Sequence, residues 1–119
     1  MKKVRWVLLI CVFFAGAAFA ENSVVGTWKV NLQGSEVITI MRSDGTFTSQ
    51  VGDVTVDGFY SVTAGNILTE YVPGVSIGVS EFVLSENEWT TVKYIYAEMG
   101  GNNVTAVMQS LLPITATRD

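Results

Sequence analysis

The chain predicts an all-β fold, a small antiparallel up-and-down β-barrel of about eight strands, from three observations. Apolar residues recur with period two rather than 3.6 from Val24 to Arg118. Turn-forming dipeptides and tripeptides interrupt this alternation at short, regular intervals. Proline is scarce, with only Pro73 and Pro113, and no low-complexity tract or linker divides the chain. Closing a sheet of short strands into a barrel removes its exposed edges. A two-sheet β-sandwich is the alternative architecture for the same pattern.

The strands follow in order. Val24, Gly26, Trp28, Val30 and Leu32 share one face, and Val25, Thr27, Lys29 and Asn31 share the other. Glu36 to Arg42 is rich in β-branched residues. Ser43-Asp44-Gly45 supplies a tight turn into Thr46–Val51, where Phe47, Ser49 and Val51 alternate with polar residues. After Gly52-Asp53, a third alternation places Val54, Val56, Tyr60 and Val62 on one face, with Gly58 between them marking a bend or bulge. Ala64-Gly65-Asn66 turns into Ile67–Val72, which Pro73-Gly74 breaks. Val75–Leu84 carries Gly78 in its middle. Beyond Ser85-Glu86-Asn87, Glu88–Ala97 places Val92, Tyr94 and Tyr96 on one face and Trp89, Thr91, Lys93 and Ile95 on the other. Val104–Leu111 and Ile114–Arg118 read as the last two strands, and no segment reads as a helix.

The first 20 residues read differently. Lys2, Lys3 and Arg5 precede the unbroken apolar run Trp6–Phe14, and Ala18-Phe19-Ala20 ends in small residues, the three parts of a secretory signal peptide. The apolar stretch Trp6–Ala20 is 15 residues, whereas a spanning helix needs ~20. The expected organisation is a signal peptide over residues 1–20 and one β-barrel domain over 21–119, periplasmic or secreted after cleavage near Ala20 and not membrane-spanning. Cys11, the only cysteine, would leave with the signal. The remaining 99 residues allow one domain with one small core.

Composition narrows the function. Without the leader, Lys29, Arg42, Lys93 and Arg118 stand against eleven acidic residues, a net charge of −7. Nucleic acid, which demands clustered cations, is excluded as a partner. The chain has no histidine, so a Ser-His-Asp triad and a histidine-ligated metal are excluded. No thiol remains for Cys chemistry. Asp53 and Asp57, and Glu86 and Glu88, lie where oxygen ligands for Ca²⁺ would, but their positions are those of solvated turn residues. No acidic residue stands in a long apolar run that would raise its pKa for proton transfer. The expectation is therefore no enzyme, no cofactor and no metal.

The segment Val24-Val25-Gly26-Thr27-Trp28, followed by Ile38 to Phe47 with Asp44-Gly45, and by Gly58-Phe59-Tyr60-Ser61-Val62, resembles the small bacterial lipocalin-like domains. That resemblance implies that Gly26, Trp28 and Arg118 close the barrel, with the late arginine stacked on the first-strand tryptophan. It also implies binding of a small hydrophobic molecule in the barrel. The aromatic and hydroxyl-bearing Phe47, Tyr60, Tyr94 and Tyr96 are the expected lining, and Val75 and Ile77, in the charge-free stretch Tyr71–Ser80, the expected portal. A protein-binding module, such as a periplasmic protease inhibitor, is the alternative for a small exported barrel.

Overall fold

The computed structural model describes residues 24–118. The leader expected over residues 1–20, Cys11 included, lies outside the described residues. Seven strands run as a meander: β1 (Gly26–Leu32), β2 (Ser35–Met41), β3 (Thr46–Val51), β4 (Val54–Thr63), β5 (Ile67–Val72), β6 (Ser76–Leu84) and β7 (Glu88–Met99). The two-residue β8 (Asn102–Asn103), helix α1 (Thr105–Ser110) and β9 (Ile114–Arg118) follow. Neighbours pair antiparallel in the order β6-β5-β4-β3-β2-β1-β9-β7-β8, and β6 also pairs with β7. That last pairing closes an eight-stranded barrel, with β8 as an extra strand outside the ring, and rules out the sandwich. Among the described residues no helix is long and apolar enough to cross a membrane.

The β2–β3 turn shows how local chemistry sets the register. Asp44 Oδ1 accepts from Thr46 N at 3.0 Å and from Thr46 Oγ1 at 2.6 Å. These two bonds favour the carboxylate and hold its pKa below the ordinary value. Gly45 takes φ +85°, which an L side chain rarely adopts.

Gly58 sits in an unbroken ladder, opposite Phe47, with no register shift. The expected bulge is absent there. A Cβ at Gly58 would lie 2.6 Å from the Tyr71 carbonyl oxygen and 2.7 Å from the Phe47 ring. The missing side chain is the space that the Phe47 ring occupies, as rings cover glycines in curved sheets.

The bulges fall in β7 instead. Phe82 pairs with Thr91, Glu81 with Lys93, Ser80 with Tyr94 and Val79 with Tyr96. Val92 and Ile95 are left without ladder partners, and both are exposed. Each extra residue turns the alternation over. Trp89, Thr91, Tyr94 and Ala97 therefore face inward, and Tyr96 does not share a face with Tyr94.

Residues 104–111, expected as a strand, instead form α1 and its ends. Val104 N bonds Ala97 O, and Met108 N bonds Val104 O at 3.0 Å. The helix lies along β7 between the stretch paired to β8 (Glu98, Met99) and the stretch paired to β9 (Glu88–Thr91). There, β7 backbone donors find side chains of the helix. Ala97 N donates to Thr105 Oγ1 at 2.9 Å and Tyr94 N to Gln109 Oε1 at 2.8 Å. These bonds satisfy donors on the edge of β7 that neither β8 nor β9 reaches.

One end of the barrel is a packed core of Val24, Trp28, Met41, Phe47, Tyr60, Leu68, Phe82 and Trp89. Trp28 and Trp89 meet edge to face, with centroids 5.4 Å apart and planes at 87°. Trp28 Nε1 donates to Val24 O at 2.9 Å. The Arg118 guanidinium lies across the same ring, donating through Nη1 to Val25 O at 2.7 Å. Gly26, at φ +141°, leaves room for it: a Cβ there would stand 2.7 Å from Arg118 Nη1.

Candidate functional site

Above this core the inward faces do not fill the barrel. Two chambers of about 210 and 220 Å³, each partly open to solvent, lie between the strands. The first is lined chiefly by apolar side chains of β1, β2, β7 and β9, among them Val30, Val37, Trp89 and Ile114. The second lies toward Val56, Val72, Ala97 and Val104. Ser49, Glu70, Tyr94 and Met108 line both. Met108 belongs to α1, so the helix contributes a piece of the chamber wall where β9 is too short to reach.

Strand geometry explains why the space exists. Glu70 pairs with Tyr60 on one side and Gly78 on the other, and Gly78 in turn pairs with Ala97. This inward row therefore runs from a large ring to residues with little or no side chain. Nothing lies within 4 Å of where a Gly78 Cβ would stand. Glu70 shares this row and lines both chambers.

Glu70 is the residue that sequence reasoning missed. Among the described residues, none donates a hydrogen bond to its carboxyl group, and no Lys or Arg lines either chamber. Protein surrounds the group while part of its surface stays open to the chambers. Burial away from bulk water pushes its pKa up to about 7. Burial also pushes the Tyr94 hydroxyl up to about 12, with the nearby Glu70 charge adding to it. The effect is one-sided because Tyr94 is neutral near pH 7 and so leaves Glu70 unshifted. No acidic residue stands in a long apolar run, but the conclusion drawn from that, that none has its pKa raised, is corrected at Glu70. Leu68 and Val72 flank Glu70 on the inward face, an alternation that the parity of β5 displays only once its inner side is known.

The expected lining residues are dispersed. Tyr94 lines both chambers and Phe47 the second. Tyr60 is buried in the packed end and donates its hydroxyl to Arg42 O, away from both chambers. Tyr96 pairs with Val79 on the outer side, and its hydroxyl donates to Glu98 Oε1 at 2.6 Å. Val75 is an exposed turn residue whose N bonds Val72 O. Ile77 borders the second chamber, although its ladder partner Tyr71 is exposed.

The remaining polar groups of the interior are few. Thr39 and Ser49 hydroxyls pair with each other at 2.8 Å. Among the described residues, Trp89 Nε1 is buried without a hydrogen-bond partner. No group of three His, Cys, Asp or Glu side chains comes together among those residues. Compared with known proteins, the chain matches no family model, and no curated protein shows significant sequence similarity to it.

Proposed function

We propose that this protein is an exported, lipocalin-like binding module that carries a small, largely apolar molecule in its barrel. The carrying observation is the pair of interior chambers. Each exceeds the ~150 Å³ that suffices for a benzene-sized guest, and together they reach the range of small-molecule sites, ~300–1,000 Å³. Their lining is apolar with a few convergent polar groups, which is the usual make-up of such sites. Binding rather than catalysis is supported by the lack of histidine. It is supported too by the lack, among the described residues, of any hydrogen bond that would orient Glu70 for proton transfer.

The test is native mass spectrometry of the protein purified from its own host. A bound species of a few hundred daltons, released on unfolding, is expected. A second reading, a protein-binding module, draws on Phe59 and Tyr71, which pair across β4 and β5 and are 54% and 43% exposed. A protein that emerges without a small molecule, and takes up none of a panel of apolar probes, would favour that outer aromatic pair.

A further inference from the structure

We infer that the barrel selects lipophilic primary amines, with the ammonium group held by Glu70 and Tyr94 where the two chambers meet and the apolar body lying in one of them. The inference rests on the carrier reading and names its ligand class.

The geometry carries it. Glu70 stands in the middle of β5, in one cross-strand row with Gly78 and Ala97, and it lines both chambers. No side chain among the described residues donates to its carboxyl group. Tyr94 lines the same two chambers, and among the described residues its hydroxyl is likewise in no hydrogen bond. All four cations of the described chain lie elsewhere: Arg118 at the closed end on Trp28, and Lys29, Arg42 and Lys93 away from both chambers. The interior thus holds an acidic group with no counter-charge and with a phenol beside it.

Three kinds of apolar ligand meet this arrangement differently. A fatty acid brings a second carboxylate to Glu70, and like charges in a low-dielectric space repel strongly. A neutral alcohol offers one donor and leaves the charge uncompensated. A primary ammonium brings the opposite charge and three donors, enough for Glu70 and the Tyr94 oxygen together. The raised pKa of Glu70 agrees with a carboxyl group whose partner the protein does not supply. Chamber size restricts the apolar body to an aromatic ring or a short alkyl chain.

The test compares octylamine, octanol and octanoate, matched in chain length, by titration calorimetry near pH 8 with protein purified from its host and stripped of any bound molecule. Octylamine is expected to bind at least about tenfold tighter than octanol, with octanoate weakest. Glu70→Gln is expected to bring the octylamine-to-octanol affinity ratio to about one. Should that variant not fold, the wild-type protein supplies the second measurement: the same ratio should fall on going from pH 8 to pH 5, as Glu70 takes up its proton. Tyr94 stays neutral over that interval, and Glu98, at the border of the second chamber, is the other titratable group near the site. Equal binding of octylamine and octanol, or preference for octanoate, overturns amine selection while leaving the carrier reading intact. Binding of none of the three overturns both.

Discussion

The Arg118 guanidinium lies 4.2 Å from the centre of the Trp28 ring, with Nη1 bonded to Val25 O and Nε to Glu86 O. The last strand thereby clamps the first through a side chain, where among the described residues β1 and β9 share two register pairs, Trp28↔Arg118 and Lys29↔Thr117. Trp28→Ala should cost ~3–5 kcal/mol in urea denaturation, the range for truncating a large buried ring. Arg118→Ala should cost less, about 1–3 kcal/mol, from lost stacking and lost hydrogen bonds. The double variant should fall short of the sum, because both truncations remove the same contact. A loss under ~1 kcal/mol for Trp28→Ala would contradict its place in the core.

The two core tryptophans should separate under a milder change. Trp28→Phe removes an indole that donates to Val24 O and lies under Arg118. Trp89→Phe removes a buried indole N–H with no hydrogen-bond partner among the described residues. Losing an unsatisfied donor offsets part of the lost ring volume. Trp89→Phe should therefore be less destabilising by about 1 kcal/mol or more, measured as the difference in midpoint at constant m-value. The reverse order would show that the Trp89 N–H is satisfied.

Glu70 gives stability an unusual pH dependence. Its carboxyl group titrates near 7 in the folded protein, against an ordinary 4.5. The folded state thus holds the proton more tightly than the unfolded chain. This contribution is complete below about pH 4.5 and is lost as pH rises toward about 7, by at most ~1.4 kcal/mol per unit. Contact of the carboxyl group with the chambers reduces that figure. Glu70→Gln should abolish the decline and be more stable than wild type near pH 8, with little difference near pH 4.5. Denaturation at both pH values, for both proteins, isolates Glu70 from the other carboxyl groups. Parallel curves would refute an embedded Glu70.

Two strand glycines should respond oppositely to a side chain. At Gly58 a Cβ meets the Tyr71 carbonyl oxygen and the Phe47 ring, so Gly58→Ala should cost ~1–3 kcal/mol as overpacking. At Gly78 a Cβ meets nothing within 4 Å. Gly78→Val should be neutral or stabilising, because it adds β propensity to a strand, and should weaken binding of any guest by filling the second chamber. Thermal melts and a probe titration on each variant check both halves.

How far the sequence could be read depended on whether a residue's face follows from its neighbours. Along β1 it does, and the Gly26–Trp28 face was legible from its alternation, whereas Arg118 as its partner came from the resemblance to lipocalin-like domains. Along β7 it does not. Val92 and Ile95 lack ladder partners, and strict alternation carried across them put Tyr94 and Tyr96 together. In α1 the β-branched Val104, Thr105 and Val107 suggested a strand. The spacing of Val104, Met108 and Leu111 was the competing helical signal, and bonds from β7 to Thr105 and Gln109 stabilise it. Glu70 was illegible for a different reason. Ile67-Thr69-Tyr71 and Leu68-Glu70-Val72 are equally plausible inner faces of β5, and the small residues of its row, Gly78 and Ala97, are distant in sequence.

The two unpaired residues of β7 also determine where the chain tolerates a change of length. Removing Val92 would leave Thr91 and Tyr94 two positions apart, so both would still point inward; removing Ile95 does the same for Tyr94 and Ala97. Losing Lys93 or Tyr96 has the same result, with Val92 or Ile95 taking the vacated outer place, whereas losing Tyr94 would carry an outer residue to the inside. The barrel wall thus contains two bulges at which it can be shortened by one residue without exchanging its surface for its interior.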